Sequence, residues 1–270
     1  IVQVSEVGTA TMMAAKGAVY PISELVQDAG EMLDAQPFLP TVAGYYADIS
    51  GNLLSYPFNV STHILYYNKT LFRRAGLDPD VPPRTWPELE KTAQRLREAG
   101  VPCGFSSHWP SWIHVENFSA LHDLPIATQA NGLRGLDAEV TINNPALVND
   151  IAALVSWQKS RTFDYGGRGT TAEPKFYSSE CAIFIGSSAL IAELRVKAKL
   201  DVDYGMLPYW PNIRAAPQNS MIGGASLWVM SGKKAAEYKG VAKFFSFLSS
   251  PEVPAEWHQG AGCLPVTIAA

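Results

Sequence analysis

Thr85-Trp86-Pro87-Glu88-Leu89-Glu90-Lys91-Thr92-Ala93-Gln94-Arg95-Leu96-Arg97-Glu98-Ala99-Gly100-Val101-Pro102-Cys103-Gly104-Phe105-Ser106 holds a helix and a strand back to back. Thr85 and Glu88 form a capping box: the threonine can bond the free amide of Glu88 while the glutamate side chain reaches back. Trp86, Leu89, Ala93 and Leu96 follow at helical spacing, and Gly100 is the residue type that ends helices. Pro102 to Ser106 then reads as a short apolar strand.

The same alternation extends in both directions. Ile1 to Val4 reads as a buried strand with Glu6 just past its tip, before a helix-prone stretch from Thr9 to Lys16. His63 to Tyr67, Cys181 to Ile185 and Ala225 to Met230 are further strands. Asn144-Pro145 opens a helix by the cap and first-turn proline rule, with Leu147, Val148, Ile151, Leu154 and Val155 as its buried stripe. Ala235 to Leu248 is another, with Tyr238, Val241, Phe245 and Leu248 on one face. Strands alternating with helices predict an α/β fold with mainly parallel sheets, whose ligands sit in crevices beyond the carboxyl ends of the strands. There is no internal repeat and no low-complexity linker, so a domain boundary must be a close crossover. Tyr56-Pro57-Phe58-Asn59 and Ala216-Pro217-Gln218-Asn219 are the candidates, each preceding an apolar strand.

The composition excludes whole classes of function. A formal net charge of -4 over 270 residues leaves no basic surplus for neutralising nucleic-acid phosphates. No apolar run approaches the roughly 20 residues a membrane-spanning helix needs. Cys103, Cys181 and Cys263 are too few and too irregularly spaced for a disulfide scaffold or a zinc site, and read first as buried small hydrophobes. His63, His108, His114, His122 and His258 show no pair at ligand spacing on one helix. Phosphate-cradling loops, nucleophile elbows and metalloprotease helices are missing as well. Neither an enzyme nor a cofactor is expected. The chain begins at Ile1, without a methionine, in what already reads as a strand, so it is expected to be an internal fragment.

Three local features point to a ligand. In Cys181-Ala-Ile-Phe-Ile-Gly-Ser187-Ser188 an apolar strand passes through glycine into two serines facing a helix N-terminus. Free amides and the helix dipole make that an anion site, and a plain serine cap is the alternative. Gly223-Gly224 lets a ligand oxygen approach backbone amides directly, or simply makes a tight turn. Trp109 and Trp112, just past a strand end, can wall a small polyol or pack in a core.

Tyr66-Tyr67-Asn68-Lys69, Leu71-Phe72-Arg73-Arg74-Ala75-Gly76-Leu77-Asp78-Pro79 and Thr85-Trp86-Pro87-Glu88-Leu89 resemble the extracellular solute-binding protein family that includes maltose-binding protein. Ile222-Gly-Gly-Ala-Ser-Leu-Trp-Val-Met230, Glu116-Asn117-Phe118-Ser119 and Ala255-Glu-Trp-His-Gln259 are similar to its glycerol-3-phosphate-binding branch, and the likeness covers essentially the whole chain. The resemblance implies a type II periplasmic binding protein: two α/β lobes with the ligand in the cleft between them. The first lobe would hold residues 1–60 and 218–270, the second 61–217, with hinge crossovers near 56–62 and 216–220.

It further implies a periplasmic, non-enzymatic, monomeric component of an ABC importer. That component captures sn-glycerol-3-phosphate or a glycerophosphodiester and delivers it to inner-membrane permease subunits. An oligosaccharide ligand is the alternative, and a hydrolase is a more distant one. Family contacts carry over onto Glu6 and Trp109 near the glycerol, and onto Ser61, Ser187 and Gly224 near the phosphate. Cys263 stands where the family places a phosphate-contacting tyrosine before Leu-Pro, and a thiol is a weaker, shorter donor. A further tyrosine and an arginine of the family site fall in segments outside this sequence. In relatives, Cys103 and Cys181 positions also carry cysteine, in a compartment that permits a bridge.

Overall fold

A computed structural model of the chain describes residues 1–268, apart from 16, 32, 34–37, 49, 133, 136, 198, 199 and 214. The chain divides into two compact units, one of residues 1–62 and 222–270, the other of residues 63–221.

The first unit opens with β1 (Val2–Ser5), α1 (Thr9–Ala14), β2 (Val19–Tyr20), α2 (Ile22–Ala29), α3 (Pro40–Tyr45) and β3 (Tyr56–Ser61). The second runs through β4 (His63–Asn68), α4 (Lys69–Arg74), α5 (Trp86–Glu98), β5 (Cys103–Ser107), α6 (Phe118–Leu121), the short turn α7 (Thr128–Asn131), α8 (Pro145–Ser160), α9 (Glu173–Tyr177), β6 (Cys181–Ser187), α10 (Leu190–Lys197) and β7 (Val202–Gly205). The chain then returns to the first unit as β8 (Gly223–Met230), α11 (Ala235–Leu248) and α12 (Glu252–Ala261).

β8 is the hub of the first sheet. β1, β2 and β3 all pair with it, antiparallel in each case. Tyr56, Leu227, Val229 and Phe245 pack with Ile22 and Leu25 of α2, and the Tyr56 and Phe245 rings stack at 5.1 Å. The second sheet has the order β5-β6-β4-β7. Its core joins Leu65, Phe105, Ile183 and Ile185 to Trp86, Leu89, Ala93 and Leu96 of α5, all buried. α5 lies so close to β5 that a Cβ on Gly104 would come within 2.5 Å of the Ala93 Cβ.

The α/β class matches the sequence reading, but strand direction differs from it. Among the described residues β5–β6 is parallel, while the other pairs in both sheets are antiparallel. The reason is that an apolar run marks a strand as buried and says nothing of its direction. β1 is also mostly exposed, with Ile1 at 53% and Val2 at 41%, since it pairs with β8 on one side. Tyr56-Pro57-Phe58-Asn59 forms the first part of β3, with a register shift between Pro57 and Asn59. The bulge is how an antiparallel strand accommodates proline. Of the segment Thr9 to Lys16, helix α1 accounts for Thr9–Ala14, and Lys16 lies outside the described residues.

α8 has its predicted cap, Asn144 Oδ1 accepting from the Leu147 amide at 3.0 Å. Its buried face, however, is Leu147, Asp150, Leu154 and Trp157. Val148, Ile151 and Val155, expected inside, are 50%, 40% and 53% exposed. The stripe is rotated because Asp150 occupies a core position, where its Oδ1 accepts from Trp210 Nε1 at 2.6 Å.

Candidate functional site

In the first unit β1 and β3 both run toward the amino end of β8. Ser5 faces Ala225 and Ser61 faces Gly223, so the residues beyond β1, the end of β3 and the start of β8 share one edge of the sheet. Glu6 follows β1 there, and its Oε2 accepts from the Gly224 amide at 2.9 Å. Gly224 has φ +123°, and a Cβ on it would lie 2.2 Å from the Asn59 carbonyl oxygen, so glycine is required by the bulge in β3. Gly223 and Gly224 belong to strand β8 and are not a tight turn.

Ser61 is buried at this edge. Leu264 pairs with Val60 in an isolated antiparallel bridge, which carries the preceding Cys263 to the same place. The Cys263 thiol is buried, and burial raises its pKa. It therefore stays neutral at ordinary pH. Glu6, Ser61, Gly224 and Cys263 are thus gathered within one unit.

The second unit brings Trp109 and Ser187 together at the carboxyl ends of its parallel pair, β5 and β6. Trp109 is 46% exposed, with φ 41°, and its amide donates to Gly169 O at 3.0 Å. A left-handed conformation is costly for a bulky residue and tends to be kept where the side chain has a task. Trp112, by contrast, is buried against His63, which settles it as a core residue.

Ser187 is held on every side. Its amide donates to His108 Nε2 at 2.9 Å, and its carbonyl accepts from the Tyr66 hydroxyl at 2.7 Å. Its Oγ accepts from the Ala189 amide at 3.2 Å, ahead of α10. With an oxygen lone pair so engaged, the hydroxyl proton is what Ser187 has to offer, which suits an acceptor such as a phosphate oxygen. The bond from the Ala189 amide is the serine cap of the sequence reading.

Sequence reasoning passed over the groups behind Ser187. Neighbouring β4 starts at His63, directly across from Ser187. His63 Nδ1 lies 2.8 Å from Asn117 Nδ2, and burial pushes the His63 pKa down to about 2. Asn117 also donates to Trp112 O at 3.0 Å and accepts from the Met221 amide at 3.0 Å. One buried amide therefore ties the first residue of the second unit to its last. Only position betrays this network in the sequence: His108 immediately precedes Trp109, and Asn117 lies in the motif Glu116 to Ser119.

A model of the family described as bacterial extracellular solute-binding protein matches residues 1–253. Over 271 aligned residues the chain is 52% identical to the sn-glycerol-3-phosphate-binding periplasmic protein UgpB of Pectobacterium atrosepticum, covering 100% of this chain and 61% of the relative. The protein of the same name from Salmonella typhimurium is also 52% identical, with 62% of its length covered. The chain thus spans about 62% of the length of these relatives. Among solved structures, UgpB from Mycobacterium tuberculosis in complex with glycerophosphocholine superposes with a TM-score of 0.79 at 20% identity, over 98% of this chain and 66% of that one. Maltose-bound MalE3 of T. maritima gives 0.78 at 17% identity, over 99% and 66%. These likenesses establish the α/β fold of type II periplasmic binding proteins.

Proposed function

This chain belongs to the bacterial extracellular solute-binding protein family, and from that premise we propose that it captures sn-glycerol-3-phosphate or a glycerophosphodiester for an ABC importer. Its two units are the lobes, joined at the crossovers 62–63 and 221–222, and closure over the ligand creates the surface that inner-membrane permease subunits recognise. It acts in the periplasm, as a monomer, and does no chemistry on its ligand. The 52% identity to proteins named for glycerol-3-phosphate supports this ligand over the sugars of more distant relatives.

The observation that carries the proposal is Ser187, whose hydroxyl proton is free to donate at the end of β6 while its oxygen is occupied by the Ala189 amide. Ser61 adds a second hydroxyl, and Glu6 supplies a carboxylate that accepts from glycerol hydroxyls. Cys263 in place of tyrosine gives a weaker phosphate donor. Trp109, exposed at a strand end, would equally serve the ring of a sugar, and that one residue favours an oligosaccharide as the second reading.

Calorimetric titration with glycerol-3-phosphate, glycerophosphocholine and maltose, each checked afterwards for breakdown, tests the assignment. Either phosphate ligand binds without turnover, and Ser187→Ala weakens that binding by about tenfold or more. Maltose binding alone, or hydrolysis of any ligand, overturns it.

A further inference from the structure

His108 and Glu173 stand behind Ser187 with a geometry that ligand contact alone leaves unexplained. His108 is 2% exposed and Glu173 13%. The His108 amide donates to Ile185 O at 3.2 Å, which docks it on β6 beside the serine. Its Nε2 lies 2.9 Å from the Ser187 amide nitrogen, and a backbone amide can only donate. Nε2 is therefore the acceptor nitrogen and Nδ1 carries the proton. Nδ1 lies 3.0 Å from Glu173 Oε1, a carboxylate placed to receive that proton. The tautomer follows from the partners on both sides.

We infer that His108, fixed in this tautomer by Glu173, is a positioning residue that sets the Ser187 hydroxyl for the ligand's phosphate and releases it when the imidazole is protonated. The inference rests on the reading of Ser187 as a phosphate-binding residue. An imidazolium has no acceptor, so a protonated His108 would present a donor to a donor at Ser187. The amide would then lose its partner. Tyr66 still holds the carbonyl, so the strain falls on the Ser187 backbone and on the turn that aims its hydroxyl.

The other groups facing His108 do not change charge in the acid range that matters. The His63 ring, 5.9 Å away on β4, is kept neutral by burial down to about pH 2. Phe184 of β6 meets the imidazole edge-on at 5.5 Å. Tyr66 has its hydroxyl pKa raised by burial and stays protonated. Glu173 Oε1 accepts from Nδ1 in either form of the ring, so the contact that changes on protonation is the one at Nε2, to the Ser187 amide.

The test uses the full chain and glycerophosphocholine, whose diester phosphate keeps a single charge between about pH 5 and about pH 8. Wild-type affinity falls about tenfold or more over that range on acidification. His108→Gln offers an amide oxygen near the Nε2 position and cannot be protonated. It keeps affinity within about threefold of wild type at the upper pH and shows no acid loss. His108→Leu, which removes the acceptor, is weak at both ends of the range. A flat wild-type profile, or an acid loss that persists in His108→Gln, overturns the inference.

The ligand-free protein supplies an independent readout. The Ser187 amide resonance shifts with pH in wild type and is pH-insensitive in His108→Gln. Should glycerophosphocholine fail to bind at any pH, the ligand reading falls, and the amide titration alone then decides whether His108 governs Ser187.

Discussion

Gly224 combines two constraints that no other residue type meets. Its φ of +123° lies outside the range of ordinary side chains, and the Asn59 carbonyl fills the space a Cβ would take. Gly224→Ala is expected to cost about 3 kcal/mol of stability by chemical denaturation and to displace Glu6 from its contact with the amide. Asp150 is the opposite case, a residue whose native form works against the fold at neutral pH. Burial raises its pKa to about 7, and the bond from Trp210 lowers it without offsetting that. Because the folded pKa is raised, the contribution of the protonated acid is full below the unfolded value near 4 and is lost as pH climbs through about 7. Asp150→Asn retains an acceptor for Trp210 and has no charge to bury. Its stability relative to wild type should rise by up to about 4 kcal/mol between pH 4 and pH 8, read from urea midpoints.

At the scale of elements, α5 and the β5–β6 pair make the sharpest predictions. Glu88 N donates to Thr85 Oγ1 at 3.3 Å while Thr85 N donates to Glu88 Oε2 at 3.2 Å, so Thr85→Ala removes half of a complete capping box. The loss should be about 1 kcal/mol, with no effect on ligand affinity. Cys103 and Cys181 sit opposite each other on parallel strands, 4.5 Å apart at Cα, and are joined by a disulfide. The bridge closes a span of 78 residues, so its reduction should destabilise the second unit by about 4 kcal/mol in the chain-entropy account. Hydrogen exchange should quicken in β5 and β6 and stay unchanged in β8.

These elements also mark what the sequence makes legible. α5 is readable to the residue because capping and periodicity are local and agree, and α11 is readable from its periodicity alone. β3 hid behind Pro57, because a proline in a strand depends on a bulge that only the partner strand reveals. α8 was misaligned by its one buried carboxylate, whose partner Trp210 is sixty residues away. The site divides in the same manner. The candidates Ser187 and Gly224 are picked out by strand, glycine and serine patterns, whereas the bonds of His108, His63 and Asn117 join distant segments and no local pattern encodes them.

For the whole molecule, acid is the informative stress. Burial lowers the pKa of His63 to about 2 and of His114 to about 4, and lowers that of His122 as well. All three lie in the second unit. Depressed folded values mean stability that is present above the unfolded value of about 6.5 and lost as pH falls below it. Three imidazoles outweigh the single opposing proton taken up by Asp150, so urea midpoints should decline from pH 6.5 to pH 4.5. The decline should be steeper in Asp150→Asn, where that opposing proton is gone.

The hub position of β8 carries a consequence for the order of events as the chain emerges. β1, β2 and β3 each find their partner in a strand that begins at Gly223, after the entire second unit has been made. Among the described residues those pairings await β8, while residues 63–221 already hold their own sheet and core. Sequence separation this large slows folding, since loop closure must precede the contacts that reward it. The second unit is therefore the one able to mature during synthesis. The pairings of β1, β2 and β3 with β8 can form only after it, and strands that await so late a partner are where a chaperone has most to guard.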